Sequence, residues 1–276
     1  VAGLAAYLAD RLGEAGRLGR DVRPAPPRSR DVLAALGLCA APVGLILLQP
    51  DLGSALVLGA AGLAVLMAAD VQLRWLGTLL GAAVVGAVAA IKLGMLADYQ
   101  LARFSSFTRP GVDLQGAAYN VHQAAIAIAG GGLWGTGLLR GPQTAGGYVP
   151  EQQTDFVFSV AGEELGFLGS ALILALLGVL LLRALRIARQ ANRMGRLLAA
   201  GMVGWLGFQT FENVGMNLGI MPVTGLPLPF VSYGGSSMLA AALGLGLLQA
   251  VHSASGVEQR RLGAPPRARR PVPWAE

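Results

Sequence analysis

The sequence predicts an all-α polytopic membrane protein: a helix bundle with six full transmembrane spans, the end of a seventh, and a long structured extracytoplasmic loop. Three observations predict it. Only 13% of the 276 residues are charged, 54% are hydrophobic and the mean hydropathy is +0.58. A soluble domain carries about 25% charged residues, and a disordered chain carries more still. Several apolar runs approach the roughly 20 residues that a bilayer crossing needs. Threading those runs in alternation puts 17 of the 20 arginines on one side of the membrane, which the positive-inside rule makes cytoplasmic.

Taken in order, residues 1–9 read as the tail of a truncated span, since the chain opens at Val1 inside an apolar stretch; upstream helices are expected before it. A signal peptide does not fit, because the positive charges follow this run. Arg11, Arg17, Arg20, Arg23, Arg28 and Arg30 fill the first cytoplasmic loop. Spans 31–49, 52–69 and 74–96 follow, with Arg74 at a cytoplasmic connection. Spans 156–182 and 197–217 are separated by Arg183, Arg186, Arg189, Arg193 and Arg196. The last span, 230–251, leads into a basic tail with Arg260, Arg261, Arg267, Arg269 and Arg270. Residues 1–251 thus read as one transmembrane domain, and 252–276 as a disordered cytoplasmic tail. Orientation and anionic lipid account for the net charge of +6, so nucleic acid is not needed to explain it. Cys39 is the single cysteine, which rules out an internal disulfide.

The long outer segment, 97–155, is where routine structure ends, and loops of that length are usually functional. Apolar residues at 114, 117, 118, 121, 125 and 128 suit an amphipathic helix over 113–129, lying in the interface or dipping back in. Glycines 130–132 break it. The run GGGLWG at 130–135 satisfies G-x-G-x-x-G through Gly130, Gly132 and Gly135, but a helix precedes it where a dinucleotide site needs a strand. His122 and His252 lack ligand spacing and read as interfacial. Gly77 and Gly81, and Gly201, Gly204 and Gly207, read as close helix-packing positions.

Carboxylates within a membrane are costly and therefore functional candidates. Asp155 sits where the outer loop meets the fourth span, with Glu163 and Glu164 two to three turns deeper and Glu212 near the outer end of the fifth span. At 100° per residue Glu163 falls about 80° round a helix from Asp155 and Glu164 about 180°. Asp155 and Glu163 are therefore expected to line one wall, and Glu164 to face another helix. Asp155 also suits an N-terminal helix position. Lys92, Arg103, Arg109 and Arg140 are the outer basic residues, and arginine's planar fork suits phosphate. In 221–238, Pro222, Pro227 and Pro229 forbid a regular helix, while Ser232, Tyr233, Ser236 and Ser237 bring hydroxyls to the start of the last span.

Four stretches carry a family resemblance: QPDLGSALVL (49–58), GAAYNVHQAAIAIAGGGLWGTGL (116–138), VPEQQTDFVFSVAGEELGFLG (149–169) and FENVGMNLGIMPVTGLPLPFVSYGGSSML (211–239). In them the chain resembles the SEDS family of bacterial cell-wall proteins, the RodA/FtsW/SpoVE group, with wording nearer the elongation branch than the division branch. The resemblance implies ten spans, of which this chain would hold the last six. It implies a multi-pass protein of the bacterial cytoplasmic membrane, acting as a peptidoglycan glycosyltransferase that polymerises lipid II at the outer face. The essential family aspartate matches Asp155; where the family usually has His before Thr-Asp-Phe, this chain has Gln153.

On this reading Asp155 is the general base, or the carboxylate holding a divalent cation such as Mg or Mn, and no organic cofactor is expected. Arg103, Arg109 and Arg140 would meet the pyrophosphate, while Glu163, Glu164, Ser232 and Ser236 would tune the acid or bind substrate. The implied partners are lipid II, the growing glycan strand, a class B penicillin-binding transpeptidase and other elongation-complex proteins. Two competing readings are a lipid II flippase and a non-catalytic scaffold of a synthase complex.

Overall fold

The structure is a computed structural model and describes residues 1–17, 29–49, 51–93 and 117–263. It is helical throughout, with no strand among the described residues. The helices are α1 (Ala2–Arg17), α2 (Ser29–Leu48), α3 (Leu52–Ala68), α4 (Leu73–Lys92), α5 (Ala117–Gly131), α6 (Pro142–Ala145), α7 (Val157–Gln190), α8 (Arg193–Asn217) and α9 (Gly235–Gly263). Each expected span overlaps one of these helices over its described residues. Three segments among the described residues are long and apolar enough to cross a bilayer: Ser29–Leu48, Val157–Gln190 and Gly235–Ser255.

The centre of the bundle is α8, packed against α1, α3, α5, α7 and α9. Asn192 caps it by accepting the Gly195 N–H at 2.9 Å, and small residues let α3 approach. A side chain at Gly204 would run into Ala60, Ala61 and Ala64 of α3, and one at Gly201 into Val65. Such backbone proximity is how apolar helices gain dispersion energy without a hydrophobic driving force. At Gly77 and Gly81 no described residue stands within 4 Å of where a side chain would begin, so the expected close packing is not seen among the described residues. Leu4, Leu8, Val32, Val65 and Leu197 join α1, α2, α3 and α8 in one apolar core.

The fourth expected span is not one continuous helix. α7 is interrupted at Gly166, whose φ of 67° and ψ of −168° lie outside helical space. The interruption frees backbone groups, and a lipid-embedded chain must satisfy them internally. The turn after α5 does so. Thr136 and Gly137 donate to the carbonyls of Glu163 and Glu164 at 2.9 and 3.1 Å, while Phe167 and Leu168 donate to those of Gly132 and Leu133 at 2.8 and 3.3 Å. Side chains at Gly131 and Gly135 would overlap the carbonyl oxygens of Gly162 and Glu164. The glycine-rich run is therefore a backbone-docking element, and its likeness to a nucleotide loop is coincidental.

Candidate active site

Asp155 lies in the turn that precedes α7, before the helix N-cap at Phe156. Glu151, at φ 50°, organises that turn: its carbonyl accepts the N–H groups of Thr154, Asp155 and Phe156 at 3.1–3.2 Å. Phe156 plugs the turn into a core formed with Ala124, Ala127, Val149, Met216 and Val223.

Three successive carbonyls of the turn are gripped from outside it. Gln153 O accepts the Tyr233 N–H at 2.8 Å, Thr154 O accepts the Ser232 hydroxyl at 2.5 Å, and Asp155 O accepts the Asn213 and Asn217 amides at 2.8 and 3.2 Å. Asn213 also donates to Leu226 O at 2.7 Å, and Asn217 accepts the Ser159 N–H at 3.0 Å. Gln209 donates to Pro227 O at 2.8 Å. The polar end of α8 thus clamps the acid-bearing turn to the proline-rich segment 222–234, which is non-helical as its prolines require.

This clamp points the Asp155 carboxylate at the proline-rich segment. A side chain at Gly225 would begin 3.3 Å from Asp155 Oδ2. On the other side of Gly225, the hydroxyl of Thr224 donates to Glu212 Oε1. Glu212 is 0% exposed and within electrostatic reach of Asp155, and its Oε2 has no hydrogen-bond partner among the described residues. The first turn of α3, capped by Asp51 through the Ser54 N–H at 3.0 Å, closes this corner: a side chain at Gly53 would press on Thr224 and Leu226.

The other expected site residues are placed differently. Glu163 does not share a wall with Asp155. It is buried with both oxygens engaged, by the Gln143 N–H at 2.8 Å and by the Thr144 N–H and hydroxyl at 2.8 and 2.5 Å. The 80° phase fails because Asp155 is outside the helix. Ser232 is buried and spent on structure, donating to Thr154 O and accepting the Leu228 N–H at 2.7 Å. Glu164 is buried, with Oε1 unpartnered among the described residues. Ser236 and Arg140 are exposed, and Arg103 and Arg109 lie outside the described residues. Sequence reasoning missed Asn213, Asn217 and Thr224; Glu212 was noticed but not joined to Asp155.

No group of three or more His, Cys, Asp or Glu side chains able to hold a metal occurs among the described residues. A Mg²⁺ site needs only one or two carboxylates beside phosphate oxygens and water, and the half-buried Asp155 is the carboxylate this corner would offer such an ion.

Residues 2–256 match the family model for FtsW, RodA and SpoVE, described as cell cycle proteins. The peptidoglycan glycosyltransferase MrdB of Escherichia coli K12 is 39% identical over 237 residues, 86% of this chain and 63% of that protein. A probable peptidoglycan glycosyltransferase FtsW of Coxiella burnetii is 41% identical over 209 residues, 74% of this chain and 55% of the relative. The chain thus spans under two thirds of the length of these relatives. Among solved structures, one on the coordination of polymerization and crosslinking by a peptidoglycan synthase complex superposes with TM-score 0.70 at 35% identity, covering 92% of this chain and 68% of its own. The crystal structure of Thermus thermophilus rod shape determining protein RodA gives TM-score 0.58 at 34% identity, covering 92% and 64%.

Proposed function

Because the chain belongs to the FtsW/RodA/SpoVE (SEDS) family, a family of multi-pass membrane proteins, we propose that it is the catalytic part of a peptidoglycan glycosyltransferase of the bacterial cytoplasmic membrane. Its substrate is lipid II and its product the growing glycan strand, with the elongation branch favoured by the wording of its motifs. The carrying observation is the Asp155 carboxylate, set on a turn whose last three carbonyls are each fixed by a separate donor. A rigidly held, half-buried carboxylate is what proton abstraction from a positioned alcohol requires.

In the reaction we assign, the acceptor's 4-hydroxyl oxygen bonds to the anomeric carbon of the donor as the bond to the lipid pyrophosphate breaks. Asp155 takes the hydroxyl proton, and the bonding pair leaves with the pyrophosphate. One displacement inverts an α-linked donor to a β-1,4 product. Asn213 and Asn217 hold the acid's backbone and Gly225 leaves room at its carboxylate, while Arg103 and Arg109 are assigned to the anionic leaving group. On the alternative reading, in which Asp155 holds a Mg²⁺ or Mn²⁺ ion and does not itself take the proton, that ion would supply neutralising charge for the leaving group.

The arginine bias supports a position for this corner at the outer face. The partner we assign is a class B penicillin-binding transpeptidase, in keeping with the synthase-complex relative. Lipid II flipping is disfavoured, because residues 197–208 of α8 offer no polar side chain between the cytoplasmic arginines and Gln209. The test is polymerisation of purified lipid II by the full-length protein, read on gels. Asp155→Ala and Asp155→Asn are expected to abolish product in normally folded protein; near wild-type product from either would refute the assignment.

A further inference from the structure

We propose that the turn Leu133–Arg140 is a re-entrant seat in the lipid bilayer, with Leu133, Trp134, Leu138 and Leu139 among acyl chains and Arg140 at the phosphate headgroups. The argument starts from depth. The carbonyls of Gly132 and Leu133 accept the N–H groups of Phe167 and Leu168, so the turn sits at the level of the break in α7. From Phe167 down to Arg183, the first of the basic residues that follow the apolar run, the helical rise is about 24 Å. The hydrocarbon core is about 30 Å thick, so the turn falls a few ångströms inside the opposite boundary.

Chemistry agrees with that depth. Phe167, Leu168, Leu172, Leu176 and Val179 form an exposed apolar stripe along α7, and the turn continues the stripe upward. Trp134 is 81% exposed and Leu139 is 85% exposed; Leu139 moreover holds φ at 60°. A water-facing turn would place glycine, asparagine or aspartate at such a φ, whereas a leucine projected outward fits an apolar surround. Tryptophan favours the membrane interface, and the exposed Arg140 can carry its charge outward along its stem. The backbone suits the setting too: Thr136 and Gly137 donate to α7, Gly135 to Gly131 at 2.8 Å and Arg140 to Gly137 at 3.1 Å, so much of its polarity is already paired. Only the leaflet rests on the topology proposed above, under which it is the outer one. The lipid contact itself does not depend on catalysis.

The test uses the full-length protein in phosphatidylcholine–phosphatidylglycerol vesicles, with Trp75→Phe, Trp205→Phe and Trp274→Phe leaving Trp134 as the reporter in this region, and with Trp134→Phe in the same background as the blank. Phospholipid brominated near the headgroup end of its chains is expected to quench Trp134 at least twice as strongly as aqueous iodide. Iodide quenching equal or stronger, or no quenching by either because protein covers the turn, overturns the proposal. A spin label on Leu139→Cys in a Cys39→Ala chain supplies a second reading: oxygen should relax it more than a water-soluble nickel complex, and the reverse order also overturns it. Lipid II polymerisation is assayed separately, so a failure here is distinguishable from a failure of the catalytic assignment.

Discussion

The side-chain amide of Asn213 reaches the main-chain carbonyl of Asp155 at 2.8 Å, across 58 residues of sequence. Its second hydrogen goes to the carbonyl of Leu226 at 2.7 Å, so one buried side chain ties the acid-bearing turn to the segment facing it. Removing it strands the Leu226 carbonyl, at about 1–3 kcal/mol for an unsatisfied buried group, and leaves Asp155 O only the longer bond from the Asn217 amide at 3.2 Å. Asn213→Ala is expected to lower stability by about 2–4 kcal/mol and to reduce kcat more than it raises KM for lipid II. Thermal unfolding in detergent and steady-state polymerisation check the two parts.

Gly225 separates backbone strain from crowding of the carboxylate. Its φ is 77°, and a side chain there would begin 3.3 Å from Asp155 Oδ2. Gly219 has a similar φ of 72°, with Val121 Cγ1 as its neighbour at the same 3.3 Å. Alanine in a left-handed conformation costs about 1–2 kcal/mol, so Gly225→Ala and Gly219→Ala should destabilise alike. Activity should part them: Gly225→Ala is expected to lose at least about tenfold, roughly the 1.4 kcal/mol of a displaced catalytic group, and Gly219→Ala to stay within about threefold.

The positions of the helices are legible because each apolar run carries its own length signal. Asp155 is legible because a carboxylate at a span boundary is costly, and because its motif resembles a family. Its surroundings are less so. Glu212, Asn213 and Asn217 come from a helix begun 38 residues later, and no period in the sequence links them to Asp155. The phase argument for Glu163 presumed a helix through 155, whereas the turn built on Glu151 delays it to Val157. Ser232 looks like a ligand in sequence because nothing there reveals that its hydroxyl is consumed by Thr154 and Leu228. The break at Gly166 is hidden for the same reason: an uninterrupted hydropathy signal runs across it.

Neighbouring glycines of the α5 run should behave oppositely. A side chain at Gly131 would overlap the Gly162 carbonyl oxygen, whereas one at Gly130 meets nothing within 4 Å. Gly131→Ala must push α5 off α7 and break the hydrogen bonds that satisfy the interruption at Gly166, so folded yield is expected to collapse, in the range above about 4 kcal/mol. Gly130→Ala removes helix-interior glycine entropy and should be neutral or stabilising by up to about 1 kcal/mol. Size-exclusion yield and melting temperature of the pair decide it.

Glu163 gives the sharpest contrast between a structural and a substrate-binding carboxylate. Its two oxygens accept three donors from Gln143 and Thr144, holding the 141–148 turn against α7. Glu163→Gln keeps the size but sets an NH₂ group against at least one of those donors. The loss of a charge-assisted bond and the new mismatch are together worth about 2–3 kcal/mol. Thr144→Val removes only the hydroxyl donor and should cost about 1 kcal/mol. The expected result is faster limited proteolysis within 141–148, graded wild type, Thr144→Val, Glu163→Gln, with any loss of polymerisation following the same order. A carboxylate that bound lipid II directly would give another pattern: Glu163→Gln would raise KM with the proteolysis rate unchanged, and Thr144→Val would be silent.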